Sequence, residues 1–119
     1  MRVRVRSRRH AAVHLVERGP GPHALVLVGV HRVEEHDPDS VVWACTSGSF
    51  VYGPEGAREQ VRGLADAAGV PASSTSFAFV AAARELGVRR VAVAASYPDD
   101  VARLFADFLA DAGITVVAF

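Results

Sequence analysis

The only cysteine in the chain lies in the stretch ACTSGSF, residues 44–50, directly after the apolar run SVVW. As a thiolate, Cys45 has the chemistry of a nucleophile or a proton carrier. The hydroxyls of Thr46 and Ser47 beside it, with the local backbone N–H groups, are donors suited to a carboxylate or phosphate. Two more polar clusters occur downstream, SSTS at 73–76 and SYPDD at 96–100. In the second, the Tyr97 phenol can donate to an anionic ligand or simply pack at a strand end. The residues alone leave Cys45 open in the same way, as a small buried hydrophobe or as a reactive strand-end thiol. No histidine stands near it in sequence and the chain has no lysine, so no base for the thiol is evident. TSGS lacks both the Walker pattern and G-x-G-x-x-G, which argues against a nucleotide loop. His10 and His14 have helical i, i+4 spacing, but no Cys or Glu completes a zinc motif around them. No metal and no cofactor is expected.

These clusters need elements to hold them. Apolar runs at 24–30 (ALVLVGV), 40–45, 90–96 (RVAVAAS) and 114–119 (ITVVAF) are valine-rich and apolar on both faces. Such runs suit strands of a parallel sheet covered by helices. Helix-period segments separate them. Residues 53–69 carry Pro54 at the start, Gly69 at the end, and Ala57, Val61, Leu64, Ala65 and Ala68 on one face. A helix is expected from about Phe77 to Leu86, capped from SSTS and closed by Gly87. The last spans 98–112, with Pro98, Asp99 and Asp100 in its first turn and a stripe of Val101, Leu104, Phe105, Phe108, Leu109 and Ala112. The pattern predicts an α/β fold with an open, mostly parallel sheet of about four strands flanked by helices, a flavodoxin-like single lobe. In such sheets ligands bind beyond the carboxyl ends of the strands, where the Cys45 and Tyr97 clusters fall.

The chain has 119 residues and a formal net charge of zero, half of it hydrophobic, which fits one folded domain. Gly and Pro alternate at 19–22 and divide it into a basic arm and linker, 1–22, and a lobe, 23–119. Residues 1–32 hold seven arginines against the one acid Glu17. Nucleic-acid binding through that arm is a candidate, but no aromatic residue interleaves with the arginines to stack on bases. A lone cysteine excludes an internal disulfide, and a reducing cytoplasm is the expected compartment. No apolar run approaches membrane-spanning length, so no membrane contact is expected.

The stretches PDSVVWACTSGSFVYG, GVPASSTSFAFVAAARELGVRRVAVAASYPDDV and FLADAGITVV, taken in order, resemble the aspartate/glutamate racemase superfamily. The resemblance runs from about Asp37 to Phe119 and is nearest the branch of maleate cis-trans isomerases and arylmalonate decarboxylases. It implies two similar α/β lobes with a cofactor-independent site between them. On this reading Cys45 matches the first-lobe cysteine that attacks a double bond or moves an α-proton. Thr46 and Ser47 match the loop that binds a substrate carboxylate, and Tyr97 matches the tyrosine that donates to the same anion. Decarboxylases of the branch tend to carry glycine at the cysteine position, so Cys45 favours isomerase or racemase chemistry on a small dicarboxylate such as maleate. The second lobe, with its own cysteine, has no counterpart here, and neither does the substrate-binding asparagine of the opening strand. The resemblance thus implies a truncated or rearranged product, completed by a homodimer or a second-lobe partner. The alternative is an inactive remnant or a small carboxylate-binding module.

Overall fold

In strand β2 (Ser40–Trp43) every second residue turns inward, so that Val41 and Trp43 are buried while Ser40 and Val42 are partly exposed. The computed structural model describes residues 10–13, as backbone, and residues 37–119. The expected strand at 24–30 and the Gly/Pro linker lie outside the described residues. Strand β1 (His10–Val13), within the segment expected as an arm, pairs in parallel with β2. On its other edge β2 pairs in parallel with β3 (Ala72–Ser74), giving the order β1-β2-β3. Strands β4 (Arg90–Ala92) and β5 (Thr115–Ala118) form a second small parallel sheet. The architecture is the expected α/β lobe, with its strands divided between two small sheets.

Three helices make the crossovers. Helix α1 (Gly53–Ala68) joins β2 to β3, with Pro54 at its first turn and Ala57, Gln60 and Leu64 buried. It ends at Gly69, whose φ of 65° is the left-handed cap that glycine adopts without strain, its N–H bonding Ala65 O at 2.9 Å. Helix α2 (Thr75–Glu85) begins directly after β3, two residues earlier than the sequence predicts. The cap is Ser74, whose Oγ accepts from Phe77 N–H at 3.4 Å. Helix α3 (Asp99–Asp111) runs from β4 to β5 and buries Phe105, Phe108 and Leu109. Leu104, expected in the same stripe, is 41% exposed at its edge. The β4–β5 sheet also departs from expectation: α3 covers one face, while Ala92, Thr115 and Val117 are exposed on the other.

Two apolar clusters result. Val41, Trp43 and Leu64 join β2 to α1, and Phe50, Ala57, Val80 and Phe105 belong to a larger one with α3 and Ile114. The segment between Trp43 and Phe50, with a short 3₁₀ turn at Ser47–Ser49, therefore runs from one cluster into the other. Phe50 is fully buried, with its ring 4.9 Å from Phe105. Truncation at Phe105 leaves a cavity against Phe50 and Phe79, and such changes cost about 3–5 kcal/mol.

A hydroxyl pair fixes the segment to α2. Ser49 Oγ lies 2.5 Å from Ser76 Oγ, with both residues almost wholly buried. Ser49 Oγ also donates to Thr46 O at 2.7 Å and accepts from Ser76 N–H at 3.2 Å. The first turn of a helix has N–H groups with no partner in the helix. Here Ser74 satisfies one from the end of β3, and Ser49 satisfies another from a loop 27 residues away.

Substitutions in this packing have measurable outcomes. Phe105→Ala is expected to lower unfolding free energy by about 3–5 kcal/mol in a urea titration. Ser49→Ala is expected to cost about 1–3 kcal/mol and more than Ser76→Ala, since it strands a backbone N–H as well as a hydroxyl. The double variant should cost less than the two singles together, by about 1 kcal/mol, and strict additivity would deny the pair its role.

Candidate active site

Cys45 sits two residues beyond Trp43, past the carboxyl end of β2 and on the same side of the extended chain. Its side chain is half-buried, packed on the edge of the Val41–Trp43–Leu64 cluster. The Ser47 Oγ lies 3.9 Å from Sγ, the outer reach of a hydrogen bond to sulfur.

Glycine at position 48 sits in a close approach. A Cβ there would stand 3.1 Å from Cys45 Sγ and 3.2 Å from Trp43 Nε1, tighter than ordinary contact. The turn is held from below by Gln60 of α1, whose Nε2 donates to Gly48 O at 3.0 Å. On the α2 side, Thr75 Oγ1 donates to Trp43 O at 3.1 Å, tying the end of β2 to the start of the helix. The Cys45 loop is thus fixed at Gly48 by α1 and at Trp43 and Ser49 by α2. Gln60 and Ser49 carry no sequence signal of their own. Both are polar residues on buried faces, and only the fold shows that each serves the loop backbone.

Thr46 and Tyr97 come together. Both line a cavity of about 370 Å³ whose other walls are apolar, among them Phe79, Val91, Val93 and Phe105. Tyr97 is half-buried, and its ring meets Phe50 edge-on at 5.6 Å. Because Phe50 directly follows the cysteine loop, this contact sets the phenol relative to that loop. Cys45 and Ser47 belong to the same loop as Thr46 but do not line this cavity. Of the four residues singled out in the sequence, Cys45, Thr46 and Ser47 form one pinned turn, and Tyr97 joins it through Thr46's side. Such a group combines hydroxyl and phenol groups beside an apolar recess with a thiol on the same turn as Thr46.

Comparison with known proteins accords with the α/β fold. A family model described as arylmalonate decarboxylase matches residues 24–119. Among curated proteins none matches. A crystal structure of arylmalonate decarboxylase is similar at 30% identity and a TM-score of 0.76, over 82% of this chain and 46% of that one. A glycine-to-cysteine mutant of arylmalonate decarboxylase in a sulfate-associated form gives 32% and 0.76, over 81% and 41%. The Nocardia farcinica maleate cis-trans isomerase, as a mutant with a covalently bound succinylcysteine intermediate, gives 22% and 0.74, over 80% and 41%, a likeness of fold. The chain spans less than half the length of these structures. With a family model over most of its length and identities of 30% and above to solved members, the chain belongs to the arylmalonate decarboxylase family.

Proposed function

We propose that this chain is the cysteine-bearing lobe of a cofactor-independent isomerase or racemase site for a small dicarboxylate, of the maleate cis-trans isomerase kind. The observation that carries the reading is the placement of a half-buried Cys45 on the pinned turn whose Thr46 shares a recess with Tyr97. Thr46, Ser47 and the Tyr97 phenol hold one carboxylate, offsetting its charge with hydroxyl donors. The Cys45 thiolate adds to the nearer alkene carbon, forming a C–S bond while the π electrons move into the adjacent carboxylate as an enediolate-like group. Donors preorganised around that oxygen lower the cost of the charge that develops there. Rotation about the resulting single bond and expulsion of the thiolate return the alkene in its other geometry, with no net proton taken up. The succinylcysteine carried by the Nocardia farcinica mutant is a sulfur–carbon bond of this type, and supports the reading by analogy of fold.

A thiol used this way must stay reduced, which suits a cytoplasmic setting. A second lobe closing over the recess would supply the general acid and exclude water. A second copy of this chain, set across the cleft so that two Cys45 side chains face one substrate, is the partner we propose. No helix among the described residues is long and apolar enough to cross a membrane.

One observation favours a second reading. Cys45 and Ser47 lie outside the recess that Thr46 and Tyr97 line, so anion binding there does not itself require the thiol. A carboxylate-binding module without turnover has the same donors.

Proton NMR of the purified protein with maleate tests both. Turnover to fumarate is expected, with Cys45→Ser reducing it at least about a thousandfold, as loss of a nucleophile does. Decarboxylation of an arylmalonate that persists in Cys45→Ser would overturn the isomerase assignment. For the binding module, thermal stabilisation by succinate should survive Cys45→Ala and fall in Tyr97→Phe by about tenfold in apparent affinity, one hydrogen bond to a charged group.

A further inference from the structure

Gln60 is 4% exposed, on a face of α1 that otherwise buries Ala57 and Leu64. Its side-chain amide donates from Nε2 to Gly48 O at 3.0 Å, while its Oε1 is buried without a partner. A buried acceptor left unpaired costs about what a neutral hydrogen bond returns, so the residue adds little to stability. A leucine would fill the same apolar face without that cost. What the amide supplies is direction, and the loop shows where direction is needed. The Thr46 carbonyl accepts from Ser49 twice, through N–H at 3.1 Å and Oγ at 2.7 Å. The Ser47 carbonyl accepts from the N–H groups of Phe50 and Val51, each at 3.1 Å. The Gly48 carbonyl has Gln60 alone among the described residues. Glycine has no side chain to restrict its own backbone, so this peptide depends most on its one bond. It also lies against the thiol, since a Cβ on Gly48 would stand 3.1 Å from Cys45 Sγ. In a trans peptide the carbonyl and the next N–H point in opposite directions. Holding Gly48 O toward α1 therefore aims the Ser49 N–H at Thr46 O, the bond that closes the turn.

We propose that Gln60 is a positioning residue, which acts through the Gly48 carbonyl to preset the turn carrying Cys45, Thr46 and Ser47 for a carboxylate ligand. With the amide in place, the Gly48 peptide has one orientation and the turn is shaped before the ligand arrives. Without it, that peptide is free to turn over, and a ligand must first order the loop, which weakens binding. The buried Oε1 is the cost of this arrangement, carried by the fold rather than by the site. The inference rests on the carboxylate site of the proposed function and adds to it a residue of the helix packed behind the loop.

Its test reads the loop and the ligand separately. Gln60→Leu exchanges one unpaired acceptor, Oε1, for another, Gly48 O, so its urea midpoint should stay near that of the wild type. The Ser49 amide belongs to the same peptide as the Gly48 carbonyl, and its hydrogen exchange, followed by NMR, reports that peptide directly. Exchange there should be about tenfold faster in Gln60→Leu, with Leu64 of the same helix unchanged. In Gln60→Glu at pH 5.5 the buried carboxyl keeps its proton and donates to Gly48 O, so Ser49 should exchange at the wild-type rate. Succinate should bind Gln60→Leu about tenfold more weakly than the wild type, a loss that packing alone does not produce at unchanged stability. If the wild type binds no succinate, the proposed function fails, and the Ser49 exchange still decides whether Gln60 holds the loop. Ser49 exchange unchanged in Gln60→Leu, an equal rise at Leu64, no rescue in Gln60→Glu, or succinate affinity equal to that of a binding wild type overturns the proposal.

Discussion

Two buried serines, 27 residues apart in sequence, share a hydrogen bond of 2.5 Å between the cysteine loop and helix α2. Each is committed further: Ser49 to the carbonyl of Thr46 and to an N–H of the helix, Ser76 through its backbone N–H. Helix α2 needs the loop to complete its first turn, and the loop needs α2 to hold its shape. This mutual dependence turns a six-residue crossing between two apolar clusters into a rigid mount. Neither cluster could do this alone, because apolar contact has no preferred direction, whereas a satisfied hydroxyl pair has one.

The consequences spread outward from that mount. Phe50 leaves the loop straight into the larger cluster, and the Tyr97 ring rests edge-on against it, so the phenol is registered to the same backbone that carries Cys45. On the other side, Gly48 lies close enough to Trp43 and Cys45 to exclude a side chain. The site is thereby built from a strand end, a helix start and a ring contact, each of which also holds the fold together. Its chemistry is left to a few atoms at the rim.

Much of this is legible in the sequence because its strongest signals are periodic. The apolar run SVVW and the stripe of α3 correspond to the observed β2 and the buried Phe105, Phe108 and Leu109. Leu104 departs from expectation because it sits at the margin of the stripe, where periodicity alone does not separate core from surface. Strand β3 carries no such signal, since PASS is short and polar, and its pairing with β2 is dictated by the neighbouring strand rather than by its own residues. The start of α2 comes two residues early because four consecutive hydroxyl residues all cap well, and Ser49 decides among them from a distance. The cysteine motif and the Tyr97 turn are visible as types and order. That Thr46, and not Cys45, shares a recess with Tyr97 is a matter of three-dimensional geometry that no spacing reveals.

The central claim is that Cys45, Thr46, Ser47 and Tyr97 form one dicarboxylate site. The most direct measurement is the rate of Cys45 alkylation at fixed pH as succinate, an unreactive dicarboxylate, is added. Occupied donors should place the ligand over the thiol, so the rate is expected to fall along a saturable curve, and the curve should move to higher succinate in Tyr97→Phe. An alkylation rate that stays constant up to high succinate concentration, at matched ionic strength, would contradict the account.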